Sequence, residues 1–238
     1  MTSPLPVGWL TADAAEVPED DAWLTPAERV RLASLQIPAR RADWRLGRWI
    51  AKHAVAAWLG AGLEAVEIRP AEDGAPEARL DGEPAPVAIS FSHRAGRAAC
   101  AVAPAGTALG CDLELVEPRS AAFVRDYLTP AEQALIEAAP EMDHPFLVNL
   151  LWSAKESALK ALHTGLRLDT RSVEVRLLEN GEREGWRPLA VHARETGPDF
   201  AGDFAGWWRR DGGWVLTLAA SPPPDLPRPL LDRPPERV

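Results

Sequence analysis

Three carboxylates and a scatter of cations stand at spacings that suit a hard cation and a phosphate-bearing ligand. In Gly110-Cys111-Asp112-Leu113-Glu114, the apolar Leu109, Cys111, Leu113 and Leu115 alternate with Gly110, Asp112 and Glu114. Period two puts Asp112 and Glu114 on one face of a strand, ~7 Å apart at the backbone. Carboxylates of unequal length at i and i+2 can converge on one cation, and Gly110 is expected to leave room beside them for a ligand. The same alternation also describes a half-buried strand with a solvated acidic face. In Trp152-Ser153-Ala154-Lys155-Glu156-Ser157-Ala158-Leu159-Lys160, Trp152, Glu156 and Lys160 follow one another at i+4, beside a core stripe of Leu151, Ala154, Ala158 and Leu162. The plain alternative is a surface ion pair of ~0.3–0.5 kcal/mol between Glu156 and Lys160. Ser92-His93 ends a strand-like run, where a structural histidine is the simpler alternative. Residues 25–55 carry Arg29, Arg31, Arg40, Arg41, Arg45, Arg48 and Lys52 against only Glu28 and Asp43. Such a basic stretch is either a solvated helical face or a polyanion site, and its contrast with an acidic chain favours the second.

The elements that must hold these residues recur along the chain. Leu24-Thr25-Pro26-Ala27-Glu28 returns unchanged as Leu128-Thr129-Pro130-Ala131-Glu132. Each copy reads as a helix start, with a threonine cap, a proline in the first turn and a glutamate closing a capping box. Trp49-Ile50-Ala51-Lys52 then corresponds to Trp152-Ser153-Ala154-Lys155, and Val66-Glu67-Ile68-Arg69, ending near Asp73-Gly74, to Val173-Glu174-Val175-Arg176, ending near Asn180-Gly181. Ordered matches at a nearly constant offset predict a duplication: an α+β fold of two similar halves packed as an intramolecular pseudo-dimer. Strands are expected at Val87–Ser92 and Ala98–Ala103 around an Arg94–Arg97 turn, at Leu109–Val116, and at Asp203–Arg210 and Trp214–Ser221 around Asp211-Gly212-Gly213. The halves are expected to span 1–105 and 106–221. Residues 222–238, in a stretch with seven prolines from Ser221 on, are expected to form an extended, mobile tail.

Composition narrows the functional classes. The 238 residues are 46% hydrophobic, enough for a substantial core. A net charge of −9 argues against nucleic acid as the main partner. Two cysteines, Cys100 and Cys111, suit a reducing cytoplasm. Met1–Trp9 has no signal-peptide pattern, and no apolar run reaches membrane-spanning length.

The ordered motifs resemble the 4′-phosphopantetheinyl transferase superfamily, in its double-length, surfactin-synthetase-activating type, over roughly residues 24–220. The family's signature runs Ser-His, Gly-x-Asp-x-Glu and Trp-x-x-Lys-Glu-x-x-x-Lys. Here it reads Ser92-His93, Gly110 to Glu114, and Trp152 to Lys160, with Gly47 and Lys52 matching a glycine and a basic residue upstream. The resemblance implies a monomeric enzyme that transfers the 4′-phosphopantetheine arm of coenzyme A to a serine of an apo carrier protein, with its site at the junction of the halves. It implies Asp112, Glu114 and Glu156 as Mg²⁺ ligands, Ser92, His93 and Lys160 at coenzyme A phosphates, and Lys155 near the pyrophosphate. Arg31, Arg45 and Arg48 become candidates for the nucleotide phosphates. Glu156 is a candidate base as well as a ligand, and lying between cations it is expected to stay ionised. Two positions depart from the pattern: Gly74-Ala75-Pro76 has alanine where relatives often have lysine, and Arg94 replaces a second serine. A Mg²⁺-dependent pyrophosphohydrolase and a catalytically silent carrier-binding module are the alternatives.

Overall fold

The structure is a computed structural model, which describes residues 5–164, 168–179, 181–193 and 202–231. Asn180 of the repeat and the last part of the proline-rich tail lie outside these. The chain is mixed α+β and divides into two compact units. One comprises Pro6–Thr107 with residues 227–231; the other is built on Ala108–Leu226, joined by Leu5.

The first unit opens with β1 (Gly8–Asp13), then α1 (Pro26–Ala33) and the long α2 (Pro38–Leu59). Five strands follow: β2 (Val66–Pro70), β3 (Pro76–Leu80), β4 (Glu83–Pro84), β5 (Val87–Arg94) and β6 (Arg97–Pro104). The second unit runs β7 (Ala108–Leu115), α3 (Ala121–Tyr127), α4 (Pro130–Glu137), α5 (His144–Ala161), β8 (Val173–Leu177), β9 (Arg187–Ala193), β10 (Gly202–Asp211) and β11 (Trp214–Ser221). A last short strand, β12 (Arg228–Pro229), rejoins the first unit beside β1.

The element order repeats, but the sheets do not match. The second unit has one five-stranded sheet, β7-β11-β10-β9-β8. In the first, the equivalent ladder is split into β12-β1-β6-β5 and β2-β3-β4. The break falls where β4 intervenes between β3 and β5, taking the edge of β3 that the second unit's β9 offers to β10. The hairpins follow from their turn residues. Ala95 and Gly96 adopt positive φ and let Arg94 pair with Arg97, so the strands reach further than Ser92 and Ala98. Asp211 pairs with Trp214 around Gly212-Gly213. The tail differs from expectation: Leu226 is buried, and Arg228 and Pro229 pair in parallel with Gly8 and Trp9. Proline is tolerated there because β12 is an edge strand.

Both capping boxes form as the sequence predicts, and each goes on to do more. Glu28 Oε1 accepts from the Ile68 N–H at 3.0 Å, while Oε2 receives Lys52 Nζ at 3.0 Å. Glu132 Oε1 accepts from the Val175 N–H at 2.8 Å, and its Oε2 lies 2.9 Å from Lys155 Nζ. Lys52 donates further to Val66 O, and Lys155 to Thr170 O and Val173 O. One glutamate in each unit thus caps a helix, anchors the strand that follows the long helix and neutralises a lysine buried in that helix. All four side chains are sealed from solvent. Around the first lock, α2 presses Leu46, Trp49, Ile50 and Ala54 against β1 and β6. Around the second, α5 presses Leu150, Leu151, Ala154 and Ala158 against the five-stranded sheet.

Candidate active site

β7 and α5 together position the acidic residues. The helix stripe Trp152, Glu156 and Lys160 faces the strand that carries Asp112 and Glu114. Asp112 Oδ1 lies 2.8 Å from Lys160 Nζ, which also donates to Cys111 O at 3.0 Å. Glu114 Oε1 accepts from the Trp152 indole N–H at 3.1 Å, and Oε2 from Arg119 at 3.0 Å. Glu156 stands among them half-buried, and its Oε1 is buried with no hydrogen-bond partner among the described residues.

Close packing at Gly110 makes this geometry possible. A Cβ there would sit 1.6 Å from Ser157 O and 2.6 Å from Ser157 C, both backbone atoms of α5. The glycine therefore admits the helix rather than a ligand, which corrects the expectation above. Gly110→Ala must push α5 off β7 and is expected to cost about 3 kcal/mol, the upper part of the range for overpacking. Urea unfolding followed by circular dichroism would measure this. An unchanged midpoint would mean that the contact is not as close as described.

The electrostatics of Glu156 differ from expectation. Burial, and then the neighbouring Asp112 and Glu114 carboxylates, push its pKa up to about 7, against the pull of Lys160. Lys155, counted from sequence as a second nearby cation, turns away. Its side chain is 0% exposed and joined to Glu132, with Thr170 O and Val173 O as its other partners. The structure thus brings Asp112, Glu114, Glu156 and Lys160 together and places Lys155 in the lock behind them. Burial lowers the Lys155 pKa while Glu132 opposes the shift.

The donors are all oxygen, as a hard cation such as Mg²⁺ requires, and the buried, unpartnered Glu156 Oε1 is an atom a cation would satisfy. Among the described residues, however, no three His, Cys, Asp or Glu side chains are arranged as a ready metal site. Lys160 holds Asp112, and Arg119 with Trp152 holds Glu114. The residues fit the ion by chemistry, and a bound ion would have to share Asp112 with Lys160 or displace that amine.

The first unit carries the remaining candidates. His93 is the penultimate residue of β5 and exposed, with Ser92 half-buried before it. Gly47 of α2 lies so near that a Cβ there would meet Phe91 at 3.0 Å and His93 at 3.8 Å. Arg31 and Arg48 line a cavity of about 370 Å³ together with Trp44, Glu67, Arg69 and Pro70. The Arg48 guanidinium stands 4.8 Å over the Trp44 ring, and burial lowers its pKa below the usual arginine value. Arg45 does not join this cavity. It pairs with Asp21 at 3.0 Å and donates to the carbonyls of Pro18, Glu19 and Asp20, anchoring the segment before α1. Trp44, Arg69, Arg119 and Asn149 were not singled out from sequence. Only Trp44 and Arg48, one helical turn apart, left a readable spacing.

The class that fold and site define is a mixed α+β protein presenting an oxygen-only acidic cluster, with lysine, from one strand and one helix. Residues 108–195, which include β7, α5, β8 and β9, match the model of the 4′-phosphopantetheinyl transferase superfamily. No curated protein matches the chain. Among the described residues no helix is long and apolar enough to cross a membrane.

Proposed function

We propose that the protein is a Mg²⁺-dependent 4′-phosphopantetheinyl transferase of the double-length type, acting on an apo acyl, polyketide or peptidyl carrier protein with coenzyme A as co-substrate. One observation carries this reading: Asp112, Glu114, Glu156 and Lys160 converge within the segment that matches the superfamily. In the reaction, the carrier serine Oγ bonds to the β-phosphorus of coenzyme A, the bridging P–O bond breaks, and 3′,5′-ADP leaves with the electron pair. A Mg²⁺ ion would supply neutralisation of the pyrophosphate charge. Asp112, Glu114 and Glu156 would hold it. Lys160 would turn its ammonium to a phosphate oxygen, stabilising charge as it grows on the leaving group. Glu156 would accept the serine proton, with general-base help typically worth ~10²–10⁴-fold. Ser92, His93, Arg31 and Arg48 would bind the remaining phosphates, and Arg69, lining the same cavity, joins them. One chain carries both halves of the proposed duplication, so we propose a monomer, and two buried cysteines outside any disulfide suit a reducing cytoplasm.

The test is to incubate the protein with coenzyme A, Mg²⁺ and an apo carrier protein and weigh the carrier by intact mass spectrometry. A carrier heavier by one phosphopantetheine, with 3′,5′-ADP released, is the expected result. Coenzyme A cleavage with an unchanged carrier would instead indicate a pyrophosphohydrolase, and no reaction a silent carrier-binding module.

A further inference from the structure

Arg119 plays no part in the motifs, yet several partners hold it beside the cluster. It follows β7 by a few residues, and its side chain is 18% exposed. Its Nη2 reaches Glu114 Oε2 at 3.0 Å, and its Nε donates to Asn149 Oδ1 at 2.9 Å. Asn149, wholly buried in α5, donates in turn to Glu117 O and Pro145 O, both at 2.7 Å. The guanidinium lies 5.1 Å over the Phe123 ring, and that ring packs edge-on against Trp152. Trp152 supplies the second donor to Glu114.

We infer that Arg119 is a positioning residue that fixes the Glu114 carboxylate for a divalent cation, using Asn149 of α5 as its anchor. The inference rests on the reading of Asp112, Glu114 and Glu156 as cation ligands. A carboxylate oxygen has two lone pairs. One on each Glu114 oxygen is engaged by Arg119 or Trp152, and two donors on two different oxygens set the plane of the group. Asn149, Trp152 and Glu156 sit on successive turns of one helix, so the frame that holds Glu114 is built on the same element as Glu156. Outer partners of this kind typically change metal affinity by ~10–100-fold when lost.

Charge and geometry make opposite predictions here, so the idea can be tested sharply. Removing a cation beside a cation site should strengthen metal binding if Arg119 acts only through its charge. It should weaken binding if Arg119 positions the ligand. The measurement is Mn²⁺ binding to the full chain, by electron paramagnetic resonance of the free ion, for wild type, Arg119→Lys, Arg119→Met and Trp152→Phe. Thermal unfolding of each variant verifies the fold. Arg119→Lys keeps the charge but cannot span Glu114 and Asn149 together, so it should raise the Mn²⁺ Kd by ~10-fold or more, and Arg119→Met likewise. Trp152→Phe, which loses one donor and keeps the ring packing, should show a smaller rise. An unchanged Kd in Arg119→Lys, tighter binding in Arg119→Met, or no Mn²⁺ binding by folded wild type at millimolar ion would each overturn the inference. Because the readout is binding, a negative carrier assay with intact, Arg119-dependent Mn²⁺ binding would sink the proposed transfer reaction and leave this inference standing.

Discussion

Lys155→Met is expected to lower the free energy of unfolding by about 3–5 kcal/mol, the usual consequence of removing one partner from a buried ion pair. Methionine has a similar volume, so little of this loss comes from packing. It takes from the buried Glu132 its cationic partner and strips Thr170 O and Val173 O of their donor. Lys52→Met should do the same in the first unit, where Glu28 and Val66 O stand in the same relation. Adding Glu132→Gln to Lys155→Met should recover part of the stability. The amide oxygen can still accept from the Val175 N–H, and no unpaired charge remains. Urea titrations of the four proteins would measure these differences. Transfer activity per folded molecule should change far less than stability in Lys155→Met. A variant as stable as wild type but inactive would mean that Lys155 acts in the chemistry and that the lock is described wrongly.

The contrast between Lys155 and its neighbour shows how far the sequence could be read. Successive helical residues point about 100° apart, so Lys155 and Glu156 cannot both face one site. The i+4 spacing of Trp152, Glu156 and Lys160 was readable and marks the face that meets β7. What could not be read was the partner of Lys155, because Glu132 is distant in sequence and looked fully used by its capping box. Gly110 was misread for a related reason: a strand glycine signals close approach, but sequence does not say whether a ligand or a helix approaches. Local signals succeeded where one short segment contains its own cause, as at Thr25-Glu28, Thr129-Glu132 and Gly212-Gly213. They failed for β1 and β12, whose pairing joins the two ends of the chain and leaves no periodic trace in Arg228-Pro229. Arg119 escaped notice because its value lies in partners gathered from separate elements, among them Glu114, Asn149 and Phe123.

Glu156→Gln is expected to reduce carrier modification by at least ~10²-fold if the carboxylate takes the serine proton. The amide matches the side chain in size, so folding should hold. Stability serves as an internal control: the substitution removes a carboxylate that burial, Asp112 and Glu114 all disfavour as an anion, so the variant should be no less stable than wild type at neutral pH. Two roles for Glu156 then separate by metal dependence. If it is chiefly a ligand, a neutral amide oxygen weakens cation binding, and raising Mg²⁺ should restore much of the rate. If it is chiefly a base, saturating Mg²⁺ should leave turnover low. Asp112→Asn is the comparison, since Asp112 is paired with Lys160 and is proposed to serve the cation alone. Its rate should recover with Mg²⁺ more fully than that of Glu156→Gln. Near-normal turnover of Glu156→Gln at ordinary Mg²⁺ would remove both roles, and the helix stripe would then be only the ion-pair face that its spacing also allows.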